Sequence, residues 1–454
     1  MTQVDLGKYR RKLESVRPVA CRGAVVRVAG LTVESKGPPV GTGQMCEIRL
    51  GDGRRVPAEV VGFHGPRRIL LPIEAIEGIR PGDAVTVRSM PRSICLGESA
   101  LGRVLDGLGR PIDGKGPLTG TESRALDGAP LEPLHRERIT EPLSFGIRSM
   151  DGLLTCGRGQ RLGIFAGSGV GKSLLMGEIA RVSDADVNVL ALVGERGREV
   201  REFLEEALGP EGLARSVVTV ATSDTSPIQR VKVAFLAITI AEYFRDRGRH
   251  VLLMMDSLTR FAQAQREIGL AAGEPPTTKG YCPSVFSLLP KLTERLGPSR
   301  LGSITGIFTV LVEGDDMNDP VADSARSLLD GHVVLSRKLA EMGHYPAVDI
   351  LQSVSRLMPA VASPAHQAAA QRFRAIYATY QGAEDLINIG ALAPGSNHRI
   401  DRAVSLIDQV RDFLVQPLGQ GTDLSGTLAR LKEITDKWEF LLPEETPDLS
   451  EVKS

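Results

Sequence analysis

The run Ala166-Gly167-Ser168-Gly169-Val170-Gly171-Lys172-Ser173 follows an apolar stretch, Leu162–Ala166, and opens a helical pattern over Ser173–Val182. Residues of these types at this spacing suit an anionic phosphate. Glycines let successive backbone N–H groups turn toward the anion, and a helix start adds positive potential. The cradle is expected to comprise Gly167, Ser168, Gly169, Val170, Gly171, Lys172, Ser173 and Leu174. Lys172 would reach the β- and γ-phosphates, and the hydroxyl of Ser173 would ligate Mg2+. The general motif opens with Gly, where this chain has Ala166.

Two carboxylates extend the chemistry. Val251-Leu252-Leu253-Met254-Met255-Asp256 puts an acid after five apolar residues, as a Mg2+ partner at the end of a parallel strand would be. Alone, such an Asp equally reads as a helix cap. Hydrolysis also needs a group that polarises water opposite the γ-phosphate. The strand Val187–Val193 ends in Gly194-Glu195-Arg196-Gly197-Arg198-Glu199. If that strand lies near the loop-bearing one, Glu195 is the candidate base and Arg196 its orienter. The same segment equally reads as a charge cluster at a helix start.

The elements that must position these groups follow from patterning. Residues 1–22 form a basic segment, with six basic residues against Asp5 and Glu14. It reads as a partner- or membrane-surface helix, or as a solvated terminus. Short strands punctuated by turns fill 23–92 (Gly23–Ala29, Met45–Leu50, Val56–Gly62, Ile69–Pro72, Ala84–Val87), which fits a small closed β-barrel. Residues 93–142, rich in Gly, Pro and Asp, read as linking loops. Over 143–362, apolar strands (Leu162–Ala166, Val187–Val193, Ser216–Thr219, Val251–Met255, Ile304–Val312) alternate with helical periods, the signature of a mostly parallel sheet in an α/β domain. Helical spacing alone continues through a C-terminal domain at 363–440, over Ala365–Tyr380, Ile400–Leu414 and Leu424–Phe440. An acidic tail, 441–454, closes the chain.

Composition excludes several classes. At about 150 residues per domain, 454 residues suggest about three domains. Basic and acidic residues number 55 each, so no global field gathers nucleic acid, and aromatics at 4% leave little for base stacking. No apolar run approaches the ~18 residues of a spanning helix, and the start lacks a secretory core. Cys21, Cys46, Cys95, Cys156 and Cys282 are scattered without a C-x-x-C pair, which suits neither a disulfide framework nor a zinc site. The expected setting is cytoplasmic.

Further motifs carry a resemblance. They are Gly102-Arg103-Val104-Leu105-Asp106-Gly107, Gly159-Gln160-Arg161, the phosphate loop, the Gly-Glu-Arg-Gly-Arg-Glu-Val of 194–200 and the Met-Asp-Ser-Leu-Thr-Arg of 255–260. Gly-Glu-Pro-Pro at 273–276, Asp-Gly-His-Val-Val-Leu-Ser-Arg at 330–337 and His-Tyr-Pro-Ala-Val-Asp at 344–349 complete the set. From about Ala24 to about Leu414 the chain resembles the type III protein-export ATPases, relatives of the catalytic subunit of rotary ATP synthases. Ala166 also fits that family.

The resemblance implies ATP and Mg2+ as ligands, with Lys172 and Ser173 on phosphate and metal, Asp256 as the Mg2+ carboxylate and Glu195 activating water. Tyr345 resembles the aromatic that stacks on adenine, and Arg356 the arginine that enters a neighbouring subunit's site. With Glu195 and Arg356 on one chain, a homo-oligomeric ring is implied, a hexamer by resemblance. Gly273–Phe286 and the acidic loop Glu313–Pro320 would face its pore and a central stalk protein. Cys282 stands where relatives usually have a second proline. Other implied partners are a peripheral stalk or regulator at the N-terminus, export chaperones and substrates, and the export gate at the inner membrane, but no nucleic acid.

The flagellar system is favoured over the injectisome by Lys279-Gly280-Tyr281 and Asp323-Ser324-Ala325-Arg326. A hexameric RNA translocase would need an aromatic N-terminal face, and residues 22–90 hold only Phe63. A rotary synthase catalytic subunit would not carry Arg356 beside Glu195. A non-enzymatic nucleotide-binding scaffold would not need Glu195.

Overall fold

The computed structural model describes residues 21–438 except 75, 89–92, 121, 127, 313, 315 and 394. All but the last two residues of the basic segment, the whole acidic tail, and Glu313 and Asp315 of the acidic loop lie outside the described residues. Packing separates two compact units. One comprises the barrel with Asp224–Val231 and Gln263–Val285; the other comprises Ser93–Ser223, Lys232–Ala262 and the chain from Phe286 onward.

The barrel strands are β1 (Arg22–Ala29), β2 (Thr32–Lys36), β3 (Met45–Arg49), β4 (Arg55–His64), β5 (Arg67–Pro72) and β6 (Ala84–Val87). They close antiparallel in the order β1-β2-β5-β4-β3-β6. Small β-branched and aliphatic side chains (Val25, Val33, Ile48, Val60, Leu70, Val85) fill the interior, which suits a barrel this narrow. Five of these strands were legible in the patterning. β2 was not, because Thr32-Val33-Glu34-Ser35-Lys36 holds a single aliphatic residue.

In the second unit β7 (Ser93–Leu96) pairs with β9 (Glu122–Ala125), and β10 (Pro142–Leu143) with β11 (Cys156–Gly157). The central sheet uses β8 (Arg103–Asp106), β12 (Arg161–Ala166), β13 (Val187–Glu195), β14 (Ser216–Thr222), β15 (His250–Asp256), β17 (Ser303–Leu311), β18 (Gly331–Leu335) and β19 (Val348–Ser355). Their order is β19-β18-β12-β17-β15-β13-β14-β8, with β16 (Gly297–Pro298) paired to β17. All neighbours on that path are parallel except β18–β19. The stretch read as linking loops therefore contributes an edge strand: β8 pairs with β14, and the Arg103 guanidinium is held by Asp113 at 2.7 Å.

The longer helices of the chain are α1 (Lys172–Val182), α2 (Pro227–Arg245), α3 (Leu258–Ala272), α4 (Pro283–Thr293), α5 (Pro364–Asn388), α6 (His398–Leu414) and α7 (Leu424–Asp436). Phe373 of α5, Phe413 of α6 and Leu431 of α7 belong to the same buried cluster as Leu162, Ile164 and Leu175 around the phosphate-loop strand and helix. Ser363, Asn397 and Asp423 cap these three helices through side-chain oxygens.

No helix among the described residues is long and apolar enough to cross a membrane.

Gly177 shows how tightly α1 is seated. A Cβ there would lie 2.5 Å from the Ala207 carbonyl oxygen and 2.7 Å from the Ala207 Cβ. Alanine in a helix interior ordinarily gains about 1 kcal/mol over glycine. Here overlap with fixed backbone outweighs that gain, so Gly177→Ala should destabilise the fold by about 1–3 kcal/mol. Denaturant unfolding checks it; a stabilised variant would contradict this account of the packing.

Candidate active site

The phosphate loop lies between β12 and α1, at the edge of the sheet where the parallel strands end. Gly169 and Gly171 have φ of 78° and 84°, which L side chains rarely adopt, so the turn depends on both glycines. No side chain caps the start of α1. Its first-turn N–H groups, other than those returning to the loop, thus remain available to an anion. Hydrogen bonding from Val312 N to the Ala166 carbonyl (3.0 Å) anchors the loop's first residue to the end of β17.

Lys172 reaches down from the helix start to Asp256 at the end of β15, with Nζ 2.5 Å from Oδ1. The pair is largely buried, its side chains 12% and 5% exposed. Thr309 Oγ1 donates to the same oxygen at 2.7 Å, tying β17 to β15 beneath the loop. Two charges removed from water in this way are tolerable because each neutralises the other. Asp256 is thus no helix cap: its carboxylate is turned toward the lysine of the phosphate loop.

Glu195 ends β13, whose Leu192 is in register with Asp256. The strand does not adjoin β12, since β15 and β17 intervene, so Glu195 meets the loop by way of Asp256. Its Oε1 is buried without a hydrogen-bond partner. Burial is the main reason its pKa is raised to about 7; Asp256 adds to the rise, Lys172 opposes it, and a hydrogen bond with Glu199 raises it again. A base poised near neutrality, with a buried oxygen that no protein group occupies, is what water activation requires. Arg196 is 80% exposed and pairs with Glu199 at 3.6 Å, so it bears on Glu195 only at one remove.

Tyr345 stands beside the loop, its ring edge 3.2 Å from where a Gly171 Cβ would be. It borders a cavity of about 350 Å³ walled by Leu174, Leu175, Pro346, Val415, Pro417 and Leu418. This is a mostly apolar cavity adjoining the phosphate loop. Sequence reading found Tyr345 and Leu174 but missed the wall from 415 to 418, a short irregular segment after α6 with no motif of its own.

Arg356 is elsewhere. It follows β19, whose Ser355 pairs with Gly331 at the start of β18, and its N–H donates to the Asp330 carbonyl at 3.0 Å. Asp330 in turn is bonded to Arg161, the first residue of β12. Arg356 therefore sits at the opposite edge of the sheet, one strand length (about 15–20 Å) from its own phosphate loop. Its guanidinium is exposed and donates to the Arg326 carbonyl at 3.0 Å.

Among oxygen donors at the loop, the Ser173 hydroxyl and the Asp256 and Glu195 carboxylates are hard ligands that fit Mg2+. Among the described residues no cluster of three or more His, Cys, Asp or Glu makes an all-protein metal cage. Mg2+ bound mainly through substrate phosphates needs none. Cys282 of the segment read as pore-facing is buried, its Sγ 3.8 Å from the Arg266 carbonyl, and burial raises its thiol pKa.

Comparison with known proteins agrees with this geometry. Residues 146–355 match the ATP synthase alpha/beta family, nucleotide-binding domain, and residues 362–433 match the T3SS EscN ATPase C-terminal domain. The flagellum-specific ATP synthase of Bacillus subtilis is 51% identical over 91% of this chain and 95% of its own. The type 3 secretion system ATPase of Xanthomonas euvesicatoria is 49% identical over 91% and 94%. The assembled ATPase EscN of the enteropathogenic E. coli type III secretion system superposes with a TM-score of 0.86 at 44% identity, covering 91% of this chain and all of that one. EscN in complex with its central stalk EscO gives 0.83 at 43%.

A carboxylate serves as a general base only when ionised, so with Glu195 in that role kcat/KM for ATP should fall as pH drops through about 7. Removing the Glu199 acid, which favours the protonated form, should move that acid limb to lower pH. A pH–rate profile of Glu199→Gln superimposable on wild type would count against Glu195 as the titrating base.

Proposed function

From its membership of the flagellum-specific and type III secretion ATPases, the family to which this chain belongs, we infer that it hydrolyses ATP to energise protein export by a flagellar type III apparatus. The relatives with flagellar names support the flagellar reading over the injectisome one. The observation that carries hydrolysis, as opposed to binding alone, is the half-buried Glu195 carboxylate: its Oε1 is buried and partnerless, and it feels the charges of the Lys172–Asp256 pair.

In this reading the backbone of 167–174 cradles the phosphates and Lys172 turns from Asp256 toward the β- and γ-oxygens when ATP arrives. The base slides between Tyr345 and the 415–418 wall. Ser173 and Asp256 would hold Mg2+, which supplies charge neutralisation at the β- and γ-phosphates. Ionised Glu195 takes the proton of the attacking water. Domain roles follow, with 143–362 as the ATPase domain, 363–440 as a helical domain closing the base side, and 23–92 as a barrel domain.

Arg356 cannot serve its own site from the far edge of the sheet. Its exposure there supports a role on a neighbouring copy's nucleotide, in a homo-oligomeric ring, a hexamer by analogy. EscN, as an assembled ATPase with a central stalk partner, supports the ring and a stalk contact here. Export chaperones and substrates, a peripheral regulator at the N-terminus and the inner-membrane export gate complete the proposed partners, with the protein working at the cytoplasmic face.

Phosphate release from Mg2+–ATP tests the reading. Glu195→Gln should be nearly inactive and Arg356→Ala should lose on the order of 10³-fold or more. Mixing the two should restore activity, because some interfaces then join an intact Glu195 to an intact Arg356. A mixture that stays dead after verified subunit exchange would remove Arg356 from the mechanism; full activity in Glu195→Gln would remove the catalytic assignment.

A further inference from the structure

Glu178 is a buried acid on the helix that carries the phosphate loop. Its side chain is 3% exposed, amid the apolar residues Leu175, Met176, Ile179 and Ala180 of the buried face of α1. A charge in such a place is costly unless its oxygens are used. One oxygen pairs with Arg181, one turn further along the same helix. The other accepts the Gly419 N–H at 2.9 Å, across 241 positions in sequence. The Arg181 pair could form equally well at the helix surface. The Gly419 contact requires the carboxylate to be where it is, on the wall of the cavity beside Tyr345.

Gly419 ends the segment that closes this cavity. Gln416, at the segment's other end, is buried and fully engaged: its N–H donates to the Tyr345 carbonyl (2.9 Å), its Oε1 accepts from Arg148 N (2.9 Å), and its Nε2 donates to Gly146 and Gln420 carbonyls (2.7 Å each). Pro417 and Leu418, the cavity-lining pair, are thus held at both sides. Gln416 fixes them to Tyr345 and the chain before β11. Glu178 fixes them to the phosphate-loop helix by a hydrogen bond, two residues before Gly421 packs against Val182 at the end of that helix.

We propose that Glu178 is the positioning residue of the nucleobase wall: by holding Gly419 it keeps 415–418 closed over the base and joins the phosphate-loop helix to the C-terminal helices. The proposal rests on the cavity being the base site. Since Glu178 and Gln416 use their polar atoms on the protein itself, the base is retained by shape and apolar contact, and the wall's position decides the affinity.

The test compares binding of ATP with that of inorganic tripolyphosphate, which brings charge to the phosphate loop but no base to the cavity. Glu178→Ala should weaken ATP roughly tenfold while leaving tripolyphosphate within about twofold. Glu178→Gln keeps an oxygen for Gly419 and should bind ATP nearly as wild type does. Leu418→Ala, at an exposed position that does not endanger folding, should reproduce the selective loss in smaller measure. Equal weakening of both ligands would put the effect on the phosphate loop and overturn the proposal, and so would unchanged ATP binding by Glu178→Ala. Tyr345→Ala separates the two layers. If it leaves the ATP-to-tripolyphosphate ratio intact, the cavity is not the base site. If it collapses the ratio while Glu178→Ala does not, the cavity reading stands and the latch is wrong.

Discussion

The Asp256 carboxylate is the interaction on which the rest of the site depends. It is buried, receives Lys172 and Thr309 on one oxygen, and lies close enough to Glu195 to help keep that acid protonated. Each consequence follows from placing negative charge where water cannot screen it. Lys172 is drawn down to the sheet, while no side chain caps the start of its helix. In the proposed function phosphate would compete for Lys172, and the Asp256 carboxylate, relieved of its partner, would be available to a divalent ion. The ion pair is therefore a resting arrangement suited to exchange.

Sheet polarity determines which groups can share that charge. β12, β13, β15 and β17 run parallel and end at one edge, so the phosphate loop, Asp256 and Glu195 converge there although they come from strands far apart in sequence. β19 runs antiparallel and ends at the other edge, carrying Arg356 away. A single chain built this way holds the candidate base Glu195 at one edge and Arg356 at the other. That separation makes a closed ring of identical copies a natural arrangement, because each interface can join one edge to the other.

Legibility in the sequence followed the strength of local constraint. The phosphate loop was readable because glycines at positive φ and a lysine at a helix start leave few alternatives. Asp256 was readable as a strand-end acid but not as the partner of Lys172, for sheet order is not written in any one segment. Arg196 looked like an orienter from adjacency alone, yet β13 ends so that its side chain turns to Glu199. β18 was missed because it is short and opens on Gly and His, and β19 because Asp, Gln and Ser interrupt its apolar residues. β8 was passed over amid the glycines and prolines around it; only its pairing with β14 makes it a strand. The 415–418 wall had no pattern, its role arising wholly from tertiary placement.

The wall also explains why the C-terminal helices share a core with the sheet rather than forming an appendage. Arg148, just before β11, donates to the carbonyls of Asp412, Phe413 and Val415, satisfying the end of α6. Arg374 of α5 likewise donates to the carbonyls of Leu153, Ile350 and Ser353. One buried and one half-buried guanidinium, each spreading several donors over backbone oxygens, tie these helices to β19 and to the segment 148–153. α6 is thereby linked through Gln416 to the Tyr345 backbone and through Gly419 to α1. In the proposed function the elements that would hold the base and those that would hold the phosphates are therefore bonded to one another through the C-terminal helices.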